Sequence, residues 1–289
     1  MFICIYLWTL IQAFLKTSSP IMTNLKSKLK KLTNRAKNSA YKGNMSEHDR
    51  IVFDLKGYIV KPAVLGKDEI KEIKEFVLRQ KNNPESLPPY ERSLPGGAFA
   101  RLIDHPAVMD VLLNVIDPDP EKIRLENVFL SYRHQGEGEW RPHAGGRTNN
   151  PNYSYNFTDG RIYAGMTRVV WELNEVLEDK GGTCFIPGSH KANHNIRTNP
   201  VKSIDARDSG LWESYSCPPG SLIIFSEAVR HSADFWQNPN SPRMAVFCAY
   251  NHINVRHHKP DIDPVIIENL APQHQRFFND VYHPQFDRW

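Results

Sequence analysis

From Ile123 onward the chain is a succession of short β-forming runs with turn residues between them. Val128-Phe129-Leu130-Ser131-Tyr132, Tyr163 to Leu173, Thr183 to Ile186, Ser221 to Phe225 and Met244 to Tyr250 are each bounded by Gly, Pro or Asn. No helical periodicity separates one run from the next. Strands at this spacing close on themselves as a sandwich or a double-stranded β-helix. The 21 prolines and 16 glycines among 289 residues fit many short elements joined by turns, and disfavour a helical bundle.

Helices belong to the segment before these runs. Ser46 is placed to cap a helix whose first turn carries Glu47 and Asp49. Gly57-Tyr58-Ile59-Val60 reads as a short strand. Asp68 to Gln80 repeats apolar residues at Ile70, Ile73, Phe76 and Val77, the period of an amphipathic helix. Asn82 to Gly97 is rich in proline and polar residues and reads as a loop. Pro106 to Ile116 reads as a short helix ended by Asp117-Pro118-Asp119-Pro120. The expected fold is therefore mainly β, with flanking α-helices, over residues 45–260. Residues 261–289 are expected to be a C-terminal extension, packed over the barrel or free.

Charge is unevenly placed. Residues 1–46 hold eight basic residues (Lys16, Lys26, Lys28, Lys30, Lys31, Arg35, Lys37 and Lys42) and no acid, so the total of +4 leaves 4 − 8 = −4 for the remainder. The body is thus no nucleic-acid binder by charge, and any membrane contact belongs to residues 1–44. Met1 to Leu15 is apolar but short for a membrane span, and no basic residues precede it as in a secretory signal. Residues 1–44 read as a disordered or targeting leader. Cys4, Cys184, Cys217 and Cys248 form no CxxC pair, which fits a reducing compartment. A cytoplasmic location is expected, with organelle targeting or membrane association through the leader as the alternative.

The chemistry concentrates between Pro142 and Arg243. That stretch contains Pro142-His143-Ala144-Gly145-Gly146, then Gly181-Gly182-Thr183-Cys184-Phe185-Ile186-Pro187-Gly188-Ser189-His190-Lys191. It closes with Pro219-Gly220-Ser221-Leu222-Ile223-Ile224-Phe225, His231 and Arg243. His143 and His231 are 231 − 143 = 88 positions apart, and Arg243 lies 12 beyond. A lone histidine among twelve would be read as a surface residue; this spacing and these neighbours favour a ligand pair instead. Over roughly Met45 to Tyr250 the chain resembles the phytanoyl-CoA dioxygenase family of Fe(II)/2-oxoglutarate-dependent oxygenases, most closely around Pro187 to Lys191. The resemblance implies a cupin-like jelly roll, with Fe(II) on His143 and His231 and Arg243 pairing with the distal carboxylate of 2-oxoglutarate. It also implies dioxygen as oxidant and a small-molecule substrate. Gly182, Pro187, Gly188, Ser189 and His190 are expected in a tight turn, and Trp171 and Phe185 in the core.

One position departs from the family. Two residues after His143, where the family carries aspartate in an H-x-D pair, this chain has Gly145. One intervening residue would put both side chains on one face of a strand. Another acid completes the site in one reading: Glu227, four residues before His231, is the best placed, with Glu137 and Glu139 as weaker candidates. In a second reading halide takes the vacated position, as in related iron halogenases with H-x-G or H-x-A. In a third the barrel is a non-catalytic binding module. Hydroxylation with a substitute carboxylate is the preferred expectation. Substrate specificity is assigned to loops such as 147–159.

Overall fold

Ser46 accepts the Asp49 N–H on its hydroxyl and so starts α1 (Glu47–Lys56). The computed structural model describes residues 43–259 and 261–281, so the leader expectation falls outside the described residues, apart from 43 and 44. The elements that follow are β1 (Tyr58–Lys61), α2 (Lys67–Asn82), α3 (Pro106–Val115), β2 (Ile123–Arg133), β3 (Asn156–Thr158), β4 (Arg161–Tyr163) and β5 (Thr167–Glu172). Then come β6 (Gly182–Ile186), a short α4 (Lys202–Asp205), β7 (Ser221–Ser226), β8 (Arg230–Asp234), β9 (Arg243–His252), α5 (Pro264–Asn269) and α6 (Pro272–Gln275).

Five strands form one antiparallel sheet in the order β1-β7-β5-β9-β2. Facing it, β6 pairs with β8, extended by isolated bridges between His143 and His231 and between Phe185 and Glu213. The two sheets together are the double-stranded β-helix, and the layer between them is filled by Tyr58, Val170, Phe185, Ile223, Phe225 and Trp236. Strand alternation decides what enters that layer. In β5, Arg168, Val170 and Glu172 face inward, opposite Phe225, Ile223 and Ser221 of β7 and Ala249, Phe247 and Ala245 of β9. The same parity carries through β9 to β2, aligning Phe129 with Phe247, Ser131 with Ala245 and Arg133 with Arg243. Trp171 has the opposite parity, is fully buried, and packs edge-on against His105 beneath the helices.

Three sequence expectations need correction. Tyr163 to Leu173 is not one run: the chain turns through Gly165, at φ +63, and divides into β4 and β5. Asn82 to Gly97 contains short 3-10 turns begun by prolines at Pro84 and Pro89. Strand β8 was missed altogether, because Arg230-His231-Ser232-Ala233-Asp234 has a charged or polar residue at four of five positions. After residue 260 the chain returns to the large sheet, with Phe277 fully buried edge-on against Tyr250. Among the described residues no helix is long and apolar enough to cross a membrane.

Candidate active site

His143 and His231 meet across an antiparallel bridge. The His143 N–H donates to the His231 carbonyl at 3.0 Å, and the His231 N–H returns to the His143 carbonyl at 3.1 Å. Directly opposed residues project to the same face, and the two imidazole centroids lie 4.0 Å apart. Backbone carbonyls orient both rings. His143 Nδ1 is 2.9 Å from the Arg141 carbonyl and His231 Nδ1 is 2.7 Å from the Val229 carbonyl. A carbonyl only accepts, so these contacts assign the proton to Nδ1 and leave the Nε2 lone pair of each ring free for a metal.

Glu227 brings the third donor. It sits in the turn between β7 and β8, with Oε2 3.5 Å from His231 Nε2 and Oε1 receiving Arg168 Nε at 2.6 Å. Donor atoms of His143, Glu227 and His231 all lie within 4.8 Å of one another, the only such group among the described residues. Burial alone would raise the Glu227 carboxyl, but Arg168 and the two histidines override it and hold it at about 2. Burial pushes His231 down to about 4, helped by His143 and opposed by Glu227. A neutral imidazole and an ionised carboxylate result. Two imidazoles and one carboxylate on one face are the donor set suited to Fe(II), so the residues fit that metal. His143 is the exposed member of the group, on the side open to solvent.

Gly145 is not part of this face. Ala144, Gly145 and Gly146 have φ of +62, +90 and +90, so the strand alternation that would place residue 145 beside His143 is broken. A Cβ at Gly145 would stand 2.9 Å from Arg230 Cβ. Arg230 and His231 are successive residues of β8 and point to opposite faces. Arg230 donates to the Ala144 carbonyl and to both oxygens of Asp205, each at 2.6 Å, which fixes the loop in this form. Residue 145 therefore lies outside the group of three donors.

A cavity of about 180 Å³ opens from the three donors. Phe129, Phe225 and Phe247 wall it, and Ser131, Arg133, Arg168, Thr183 and Arg243 supply its polar groups. Arg243 is only 1 % exposed and is not free: Glu172 Oε1 accepts its Nη2 at 2.5 Å, with the Tyr215 and Thr183 hydroxyl oxygens each at 3.3 Å. Burial opposes the Arg243 charge, and Glu172 and Tyr215 more than restore it. Arg133, its cross-strand partner, has the opposite situation: its Nη1 is enclosed without a hydrogen-bond partner, and burial and Arg243 both lower its pKa. Sequence reasoning missed Arg133, Arg168 and Glu172. The available signal was parity, since charged residues at inward positions of otherwise apolar strands must be paired or must bind something.

The remaining candidates lie elsewhere. Glu137 is exposed and accepts the His134 N–H, and neither it nor Glu139 joins the cluster. His190 is fully buried beneath α1, with Nε2 3.1 Å from the Asp54 carbonyl, and burial lowers it to about 4. Cys184, Cys217 and Cys248 are free and buried, and burial raises each thiol to about 12.

A sequence model of the phytanoyl-CoA dioxygenase family (PhyH) matches residues 53–245, about two thirds of the 289. The chain belongs to the phytanoyl-CoA dioxygenase family. As a PhyH protein it is a 2-oxoglutarate-dependent oxygenase working with Fe(II), 2-oxoglutarate and dioxygen. Solved structures show the same fold. HygX from Streptomyces hygroscopicus, with nickel and 2-oxoglutarate bound, superposes with a TM-score of 0.60 at 18% identity, over 72% of this chain and 87% of that one. EctD from S. alaskensis, in its apoform, gives 0.51 at 19% identity over 84% and 88%. No curated protein matches this PhyH chain in sequence.

Proposed function

We propose that the protein hydroxylates a small organic substrate, with Fe(II) held by His143, His231 and Glu227. The carrying observation is that a carboxylate already stands with the two histidines while residue 145 faces Arg230. Halogenation in related enzymes needs that third position free for halide; here Glu227 occupies it. Bound Fe(II) supplies the oxidising chemistry, in which 2-oxoglutarate loses CO2 to become succinate and one oxygen atom of dioxygen enters each of succinate and product.

The chain's own residues set the terms of that reaction. Arg168 engages Oε1 of Glu227, which leaves Oε2 directed at the histidine nitrogens and favours one-oxygen ligation. The distal carboxylate of 2-oxoglutarate is assigned to the inner end of the cavity between Arg133 and Arg243. Arg243 is largely neutralised by Glu172, so Arg133 supplies the uncompensated charge, and the Ser131 and Thr183 hydroxyls add donors. Phe129 and Phe247 line the same cavity two register positions away and give the co-substrate's carbon chain an apolar wall. HygX has been solved with hygromycin B, which fits a polar small molecule as the substrate class.

Anaerobic titration of the Fe(II)–2-oxoglutarate absorption band tests the reading. Glu227→Gln should weaken iron binding at least tenfold, because an amide is a poorer Fe(II) ligand than a carboxylate. Chloride should leave the wild-type titration unchanged. A strong chloride response with a silent Glu227→Gln would overturn it.

A further inference from the structure

The far end of β2 carries a second charged cavity that the oxygenase site does not use. Arg124 is 4 % exposed, and its Nε and Nη1 are enclosed without a hydrogen-bond partner. A buried guanidinium is ordinarily paired, because an uncompensated charge in the interior is the most costly unsatisfied group a fold can carry. Glu126 and Asp280 act on it through space, but no acid gives a hydrogen bond to its Nε or Nη1. Glu126 is occupied by the His257 N–H at 2.9 Å, the His258 N–H at 3.2 Å, His258 Nδ1 at 3.2 Å and Asn251 Nδ2 at 3.3 Å. Asp280 is taken by Arg256 at 2.6 Å, and Asp261 accepts from Asn127 at 3.2 Å.

Arg124 borders a cavity of about 250 Å³, with Arg256 beside it and Ile262, Ile267 and Phe278 forming an apolar wall. Arg124 and Arg133 are nine residues apart on one strand, roughly 30 Å at an extended rise, so the two cavities are separate. We infer that this cavity binds a small organic monocarboxylate, its anionic end on Arg124 and a short apolar body against Ile262, Ile267 and Phe278. The planar carboxylate matches the guanidinium fork. A phosphate dianion fits less well, since three carboxylates also line the site and one unpaired guanidinium cannot balance two charges. The apolar wall would be left in contact with water by an inorganic anion.

The inference stands independently of the iron ligands, and its test keeps them apart. Full-length protein with Fe(II) and saturating 2-oxoglutarate under anaerobic conditions is titrated calorimetrically with hexanoate, butyrate and hexanol. Hexanoate should bind one to one and more tightly than butyrate, and hexanol should not bind. Arg124→Met should weaken hexanoate at least tenfold. Ile267→Trp, which keeps Arg124 but fills the cavity, should lose hexanoate as well. Arg133→Gln should leave hexanoate binding unchanged. No saturable binding, or binding unaltered by Arg124→Met and by Ile267→Trp, overturns the inference. So does hexanoate still bound by Ile267→Trp, whatever Arg124→Met does, which makes Arg124 a structural residue.

Discussion

Replacing Gly145 by aspartate restores the family's H-x-D pattern in sequence, and we predict that it damages the protein without rebuilding the metal site. Two costs add. A non-glycine residue held at φ +90 is strained by about 1–3 kcal/mol. The new Cβ would also press on Arg230 Cβ at 2.9 Å, and Arg230 has little room to yield. It is 2 % exposed, its N–H donates to Ser189 Oγ at 2.7 Å, and its guanidinium is held by Asp205 and the Ala144 carbonyl. Moving it weakens several of these contacts, each worth about 1–3 kcal/mol when a charge is involved. Attraction between the new carboxylate and Arg230 offsets part of this, so a net loss of about 3 kcal/mol is expected, or ~6–12 °C in melting temperature for a domain of this size. Gly145→Ala isolates the strain from the charge and should lose a similar amount. The decisive assay is iron affinity in the double variant Gly145→Asp/Glu227→Gln. If position 145 faces Arg230, the double variant binds iron no better than Glu227→Gln alone. Recovery of wild-type affinity would refute this placement of Gly145 and reinstate a ligand position there.

Other expected outcomes follow from named contacts. Arg133→Gln should weaken 2-oxoglutarate binding by roughly 10–100-fold, the loss of a charge-assisted pair, with the melting temperature near wild type. Arg243→Gln should instead destabilise the metal-free fold by about 3–5 kcal/mol, because it leaves the Glu172 carboxylate, at 0 % exposure, with the Tyr215 hydroxyl but no counter-charge; urea denaturation measures this. His231→Ala and His143→Ala should abolish iron binding with circular dichroism near wild type, whereas His190→Ala should retain metal. His190 should also make stability pH-dependent: its folded pKa is depressed to about 4 from an ordinary 6.5, so the unfolded chain binds the extra proton between these values. Stability is then lost as pH falls from 6.5 towards 4, at up to ~1.4 kcal/mol per pH unit, and His190→Gln should flatten that slope.

What the sequence made legible, and what it did not, divides along a physical line. Local chemistry read well: the Ser46 cap, the helix at 106–115 and the apolar runs of β7 and β9 are decided by neighbours within a few positions. The His143 and His231 assignment rested on a family spacing, and the structure brings those two residues together across a bridge that no periodicity announces. Glu227 was proposed from its place four residues before His231, where it does stand beside the ring. Arg243 was assigned to the 2-oxoglutarate carboxylate by family resemblance, and nothing in the sequence signalled that Glu172, 71 residues earlier, also holds it. Such a pairing depends on the register of β5 against β9, which short-range patterns do not fix.

The proposed assignment of the third ligand to Glu227 also gives Arg168 a role. A ligand supplied from position 145 would come from the His143 strand, held by that strand's own backbone. Glu227 comes instead from the turn after β7, on a longer side chain with one more rotatable bond, and needs to be fixed. Arg168, inward on β5 and aligned with Phe225 of β7, takes Oε1 and removes that freedom. It also offsets the cost of burying an anion at 4 % exposure when no metal is bound. Arg168→Lys should therefore keep the charge but lose the fixed geometry, and Arg168→Met should lose both. On this account iron affinity falls modestly in the lysine variant and by a further ~10-fold in the methionine variant, the usual range for a group that orients a ligand. Stability of the metal-free protein should separate them too, with Arg168→Met leaving Glu227 unpaired and raising its pKa. Equal iron affinity in wild type and both variants would mean that Glu227 is positioned by its backbone turn alone.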